Sequence, residues 1–128
     1  MKLETLLDDT FKSGLTKLAK ASLPLRSAFK LKGIINTLEA ELKKYEEVRQ
    51  AALQKYGKLK EDGSYEVDEA QKVLFKTEED AKAFFVEHEE LAKTEIEVAK
   101  LKMAELGDNV VNVTVEELAK LEAILDLN

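Results

Sequence analysis

The chain has no cysteine and no tryptophan, one proline, one histidine and five glycines in 128 residues. Without cysteine there is no disulfide, no thiolate nucleophile and no thiolate metal site, and the redox compartment is left open. Aromatics are 6% of the residues against 36% charged, a balance that favours an elongated, helix-rich protein over a deep globular core. No apolar run approaches the ~20 residues a bilayer-spanning helix needs. The opening MKLETLLDDTFKSG lacks the apolar stretch of a signal peptide. A membrane is therefore not expected, and a cytoplasmic location is. Also missing are a glycine-rich phosphate loop, an HExxH pair and a workable Ser/His/Asp set. The expectation is a protein that is not an enzyme, with no cofactor and no metal.

What is present is a periodic stretch, LRSAFKLKGIINTLEAELKKYEEVRQAALQKY, residues 25–56. Ala28, Leu31, Ile35, Leu38, Leu42, Tyr45, Ala52 and Tyr56 recur at steps of three and four, which draws one stripe along a helix and would scatter on a strand. Leu25, Ile34 and Leu53 widen the stripe, and its register is close to a heptad, suited to side-by-side packing. Ser22 is the expected N-cap, Pro24 fits the first turn, and Gly57 is the expected residue just past the end. Arg49 interrupts the stripe, so it is expected to meet an acid across a seam or to touch a partner.

Before this helix, Leu3, Leu6, Leu7, Phe11, Leu15 and Leu18 predict one or two short amphipathic helices broken near Ser13-Gly14, with Asp8, Asp9 and Thr10 available as caps. After it, Asp62-Gly63 is a turn signal, Tyr65 and Val67 alternate as in a short strand, and Asp68 with Gln71 forms a weak capping box. The run Asp62, Ser64, Glu66, Asp68 lacks the early ligands and the glycine position of a calcium loop. Thr77 then caps a second helix running to about Lys93, with Ala81, Phe84, Phe85, His88, Leu91 and Ala92 on its apolar side. His88, alone on that face, reads as a packed or interface histidine. Ile96 to Leu101 and Val110 to Val113 read as two short strands around a Gly107-Asp108 turn. Thr114 and Glu117 form a full capping box for a last helix whose apolar face takes in Val115, Leu118, Leu121, Ile124 and Leu125. No internal repeat is visible.

The net charge of −6 hides a division. Residues 1–60 hold 13 Lys/Arg and 7 Asp/Glu, residues 61–128 hold 7 and 19, giving +6 and −12. The two halves complement one another, or the acidic half meets a basic partner. Nucleic acid is not expected as a partner, because the basic residues of the first half are interleaved with acids and no stacking platform accompanies them.

Taken together, the LPLRSAFKLKGIINTLEAELKKYEEVRQAALQKYG stretch, the DGSYEV turn, EEDAKAFFVEHEELAKTEIEVAKLKMAEL and VTVEELAKLEAIL resemble a group of small uncharacterised proteins of tailed bacteriophages. The resemblance spans most of residues 23–126. It implies a phage-encoded protein of the bacterial host cytoplasm or the virion, and carries over no activity and no site residues.

The expected fold is mainly α (α+β): a single domain, 1–128, with an entry segment 1–22, a long antiparallel helical hairpin 23–93, and short strands plus a C-terminal helix in 94–128. The expected function is a non-catalytic protein–protein interaction module, a structural or assembly component of the phage particle. The alternative is a host-directed inhibitor that blocks a bacterial defence or nucleic-acid enzyme through an acidic surface. The partner is then a phage structural protein, a host protein or a second copy. Arg49, Tyr56, Tyr65 and His88 are the candidate partner-contact residues.

Overall fold

The computed structural model describes residues 1–107 and 112–127. The chain is mainly helical: α1 (Leu3–Leu7), α2 (Asp9–Lys20), α3 (Leu25–Tyr56), α4 (Glu78–Ala92) and α5 (Val115–Leu121), with a 3-10 turn at Met103–Leu106 and two short strands, β1 (Leu101–Lys102) and β2 (Leu125–Asp126). It divides into two compact units. Unit 1 takes in Met1–Leu42 and Lys93–Asn128, unit 2 takes in Lys43–Ala92, and α3 runs through both.

α3 has the bounds its periodicity predicts. Its buried side is Ser27, Leu31, Ile34, Leu38, Tyr45, Leu53 and Tyr56, so Ile34 and Leu53 lie on the stripe they were expected to widen, whereas Leu25 and Ala28, also expected on it, are exposed. The helix is opened by Pro24, whose carbonyl accepts the Ala28 N–H at 2.9 Å, rather than by Ser22.

In unit 1, α1 and α2 break at Asp8, not at Ser13-Gly14. Asp8 caps α2 by accepting from the Thr10 and Phe11 amides at 2.8 and 3.2 Å. Those amides hold its carboxyl below the usual range, the Phe11 bond most of all. Gly14 lies inside α2 and is buried, because a Cβ there would stand 3.1 Å from Leu121 Cδ1 and 3.2 Å from Glu117 Cβ. The missing side chain is what lets α5 approach α2. Phe11, Leu18, Leu101, Leu121 and Ile124 are the fully buried side chains of this unit.

β1 pairs with β2 in parallel, Leu101 opposite Leu125 and Lys102 opposite Asp126. The expected strand 96–101 contracts to β1, and the last helix stops at Leu121, four residues short of the expected face. Ile124 and Leu125 are buried beyond the helix, Leu125 as part of a strand. The chain needs a crossover to bring two strands parallel, and α5 lies on it. Asp108, Val110 and Val111, where a turn and a second strand are expected, lie outside the described residues.

In unit 2 the last turns of α3 and all of α4 form the antiparallel hairpin. Phe84 packs on Leu53 and Tyr56 toward the connected end, and Tyr45 meets His88 farther along. Thr77 caps α4 as expected, accepting from the Asp80 amide at 3.0 Å. The connection between the helices, residues 57–77, is ordered by its own backbone bonds. Three extended segments, 56–60, 64–68 and 72–76, pair in a closed triangle. Lys58 N–H donates to Leu74 O, Leu74 N–H to Glu66 O, and Glu66 N–H to Lys58 O, all at 2.8 Å. A second set follows one step outward: Lys60 to Ser64 O at 2.7 Å, Asp68 to Lys72 O at 2.9 Å, and Lys76 to Tyr56 O at 3.1 Å.

The three central residues, 58, 66 and 74, are eight apart, so this is a threefold repeat in backbone geometry. Their neighbours, GKL, YEV and VLF, share only an apolar third residue, too little to show as a repeat in the sequence. Each of the two hairpins turns through three residues and ends on a residue of positive φ, Gly63 at 87° and Gln71 at 63°. Residues 69–76 are thus turn and strand, and Asp68, expected to form a capping box with Gln71, instead caps a turn by accepting from the Ala70 and Lys72 amides at 2.8 and 3.0 Å. Gly57 joins α3 to the ring without a left-handed bend. A Cβ there would lie 2.5 Å from the Leu53 carbonyl oxygen, so the close approach excludes any side chain.

Candidate functional site

The four residues singled out from the sequence all fall in unit 2. Tyr56 is buried with Leu53 and Phe84, and Tyr65 packs against that cluster together with Val73 and Phe75. The ring segments thus deliver apolar side chains onto the end of the hairpin. The Tyr56 hydroxyl donates to Glu87 Oε1 at 2.9 Å, and Lys55 Nζ stands 4.9 Å over its ring. Both tyrosines serve the packing of the unit.

His88 has the single close partner expected of a histidine on an apolar face. Its Nε2 is 2.6 Å from the Tyr45 hydroxyl, and its ring lies edge-on to Tyr45 with centroids 5.7 Å apart. Burial pushes the Tyr45 hydroxyl pKa up, partly offset by the nearby Arg49 charge. Arg49 does not meet an acid across the seam. It is half-buried and approaches Glu46 of its own helix at 3.8 Å. Arg49 and His88 line a shallow cavity of about 60 Å³ with Val48, Ala52, Phe84, Glu87 and Leu91. That volume takes one or two waters, or the tip of an aliphatic side chain. The lining carries both signs, Arg49 from α3 and Glu87 from α4, and the Glu87 carboxylate also accepts from Tyr56.

A second polar cluster, which the sequence did not announce, lies in unit 1. Glu117 is 3% exposed although it is an acid at the first turn of α5. Its Oε1 accepts from Lys17 Nζ at 2.6 Å and from the Thr114 amide at 2.8 Å, and its Oε2 from Ser13 Oγ at 2.7 Å. The Lys17 ammonium, then these other donors, bring its pKa down to about 2. Ser13 and Lys17 stand four apart on α2, a spacing that in a nucleophilic site calls for a neutral amine beside the hydroxyl. Here the Glu117 carboxylate accepts from both the ammonium and the hydroxyl, so the chemistry is that of a clasp joining α2 to α5. The only sequence signal for it was the capping box. Ser27 makes a comparable tie, donating to the Glu105 carbonyl beside the Lys30–Glu105 ion pair at 2.8 Å.

The acids of the 61–69 turn have local uses. Asp62 accepts from the amide and hydroxyl of Ser64 at 2.9 and 2.6 Å, which lowers its pKa, and Glu66 pairs with Lys58 at 3.2 Å. Among the described residues no three His, Asp or Glu side chains converge as a metal set, and no helix is long and apolar enough to cross a membrane.

The surface has one region of a different kind. From Thr10 to Leu38 there are six Lys/Arg and no Asp or Glu, so the expected interleaving of bases with acids begins only at Glu39. Inside this stretch Leu25 and Phe29, four apart on α3, are 88% and 81% exposed, with Arg26 and Lys32 exposed beside them. No protein-family model, curated protein or solved structure matches the chain.

Proposed function

We propose that this chain is a non-catalytic protein–protein interaction module encoded by a tailed bacteriophage, acting as a structural or assembly component of the phage particle. The observation that carries the reading is the Leu25–Phe29 pair: two large apolar side chains in adjacent turns of one helix, both more than four-fifths exposed. Exposed apolar side chains that sit together, rimmed by charge, mark contact surfaces. The resemblance of residues 23–126 to small phage proteins supplies the setting.

The test is mass spectrometry of purified virions and of assembly intermediates from infected cells, with a deletion of the gene alongside. The chain is expected in one of these fractions, with stalled or malformed particles when it is deleted. Normal particle yield from the deletion, with the chain missing from both fractions, overturns the proposal. A second reading, a host-directed inhibitor, is favoured by the six carboxylates of α4. It predicts normal particle assembly but a phage yield that depends on which host is infected.

A further inference from the structure

We propose that Asp62-Gly63 is a site of spontaneous covalent modification, where the chain rearranges through a cyclic imide to isoaspartate, and that Ser64 sets the rate.

Asp62-Gly63 is the one place in the sequence where aspartate precedes glycine, and asparagine nowhere does. The pairing matters because Gly63 has no side chain to hinder its amide nitrogen, and even a Cβ there would meet nothing within 4 Å. Asp62, Gly63 and Ser64 are all exposed, so water reaches the bond. They belong to a three-residue turn closed by Lys60 N–H donating to Ser64 O at 2.7 Å. Attack by the next residue's own nitrogen has the advantage of proximity over any bimolecular route.

Gly63 N attacks Asp62 Cγ. An N–Cγ bond forms, the Cγ–Oδ2 bond breaks, and Oδ2 leaves as water, carrying its carboxyl proton and the Gly63 amide proton. The product is a five-membered succinimide. Water then adds at the Asp62 main-chain carbonyl carbon and the bond from that carbon to Gly63 N breaks. The main chain now runs through Cβ and Cγ. One water is lost and one is gained, with no oxidant or reductant.

Ser64 opposes the first step. Its hydroxyl and its amide donate to Asp62 Oδ1 at 2.6 and 2.9 Å. Such bonds favour the ionised form and lower the Asp62 pKa, the hydroxyl most of all. The carboxylate is the unreactive form, because only the carboxylic acid releases water. The Gly63 N–H is engaged as well, donating to Lys60 O at 3.0 Å. Cyclisation therefore waits for local opening of the turn. Isoaspartate then lengthens the turn by one methylene and puts Lys60 and Ser64 out of register.

Ageing the purified full chain for several weeks at 37 °C and neutral pH tests this, with isoaspartate located by enzymatic methyl labelling and peptide mapping. The wild type is expected to gain isoaspartate at residue 62 ahead of Asp8, Asp9, Asp68 and Asp80. Ser64→Ala should gain it at least threefold faster. Ser64→Thr, which keeps a hydroxyl, should restore the wild-type rate, and Asp62→Glu should leave the position unmodified. Circular dichroism matching the wild type checks that each variant folds. If Ser64→Ala does not fold, the wild type decides: residue 62 should convert at least tenfold faster in denaturant than in the native chain, and equal rates overturn the proposal. So does a residue 62 that stays free of isoaspartate in both the wild type and Ser64→Ala, or a folded Ser64→Ala that reacts no faster than the wild type.

Discussion

Gln71 sits where the backbone asks for glycine. Its φ is 63°, and the structurally equivalent residue one turn earlier in the ring is Gly63, at 87°. A left-handed conformation costs a residue with a Cβ about 1–2 kcal/mol, while glycine at the same place gives back roughly 0.5–1 kcal/mol through its greater freedom in the unfolded chain. Gln71→Gly should therefore stabilise unit 2 by about 0.5–1 kcal/mol. Gly63→Gln should destabilise it by a similar amount, since a Cβ at Gly63 meets nothing within 4 Å and the cost is purely conformational. The double exchange should return close to wild type.

All three tyrosines, Tyr45, Tyr56 and Tyr65, lie in unit 2 and the chain has no tryptophan, so tyrosine fluorescence during urea unfolding reads this unit selectively. With a urea slope of ~1–2 kcal/mol per M, each single substitution should move the midpoint by roughly 0.5 M, in opposite directions. A midpoint lowered by Gln71→Gly, or unmoved by Gly63→Gln, refutes the equivalence of the two turns.

Leu38 is 2% exposed on α3, and Leu38→Asp should prevent folding in a thermal melt, because an unpaired buried carboxylate costs several kcal/mol; an unchanged melting temperature would mean the stripe is not buried. Leu42→Asp, at a half-buried position, should be milder. Gly14→Leu should lower stability by about 2–3 kcal/mol in denaturant titration, since even its Cβ is 3.1 Å from Leu121 and the rest of the side chain forces α5 away. The Glu117 clasp sets a pH dependence with a definite sign: the folded pKa, about 2, lies below the unfolded value near 4.5, so its stabilisation is complete above that value and is lost as pH falls toward 2. Glu117→Gln should flatten the acid limb of a melting-temperature profile between those pH values, and an identical limb in both proteins would mean the clasp contributes nothing.

Much of the architecture was legible because its signals are local. α3 declares itself by a three-four stripe between Pro24 and Gly57, and α4 and α5 by Thr77 and Thr114 with acids behind them. What stayed hidden depends on residues distant in sequence. The ring closes through Tyr56 and Lys76, twenty residues apart, and its segments are held by backbone bonds that side-chain patterns do not encode. Ile124 and Leu125 fall at helical spacing after Leu118 and Leu121, so only the pairing with Leu101 reveals a strand. Gly14 resembles a helix break until α5 is seen against it. Glu117 looks solvated, like most acids in a first helical turn, until Ser13 and Lys17 arrive from 104 and 100 residues earlier. Of the four candidate residues, Arg49 and His88 line the cavity, whereas Tyr56 and Tyr65 belong to the packed cluster beside it.

The triangle of Lys58, Glu66 and Leu74 has one further consequence. Each of its three segments bonds to both of the others through alternate residues on a single edge, 58 and 60, 66 and 68, 74 and 76. Opening any one segment breaks bonds to both others. The amide protons of Lys58, Glu66 and Leu74 should then exchange with solvent at a common rate, as one cooperative unit, although Lys58 and Leu74 carry exposed side chains in a stretch whose composition reads as a loop.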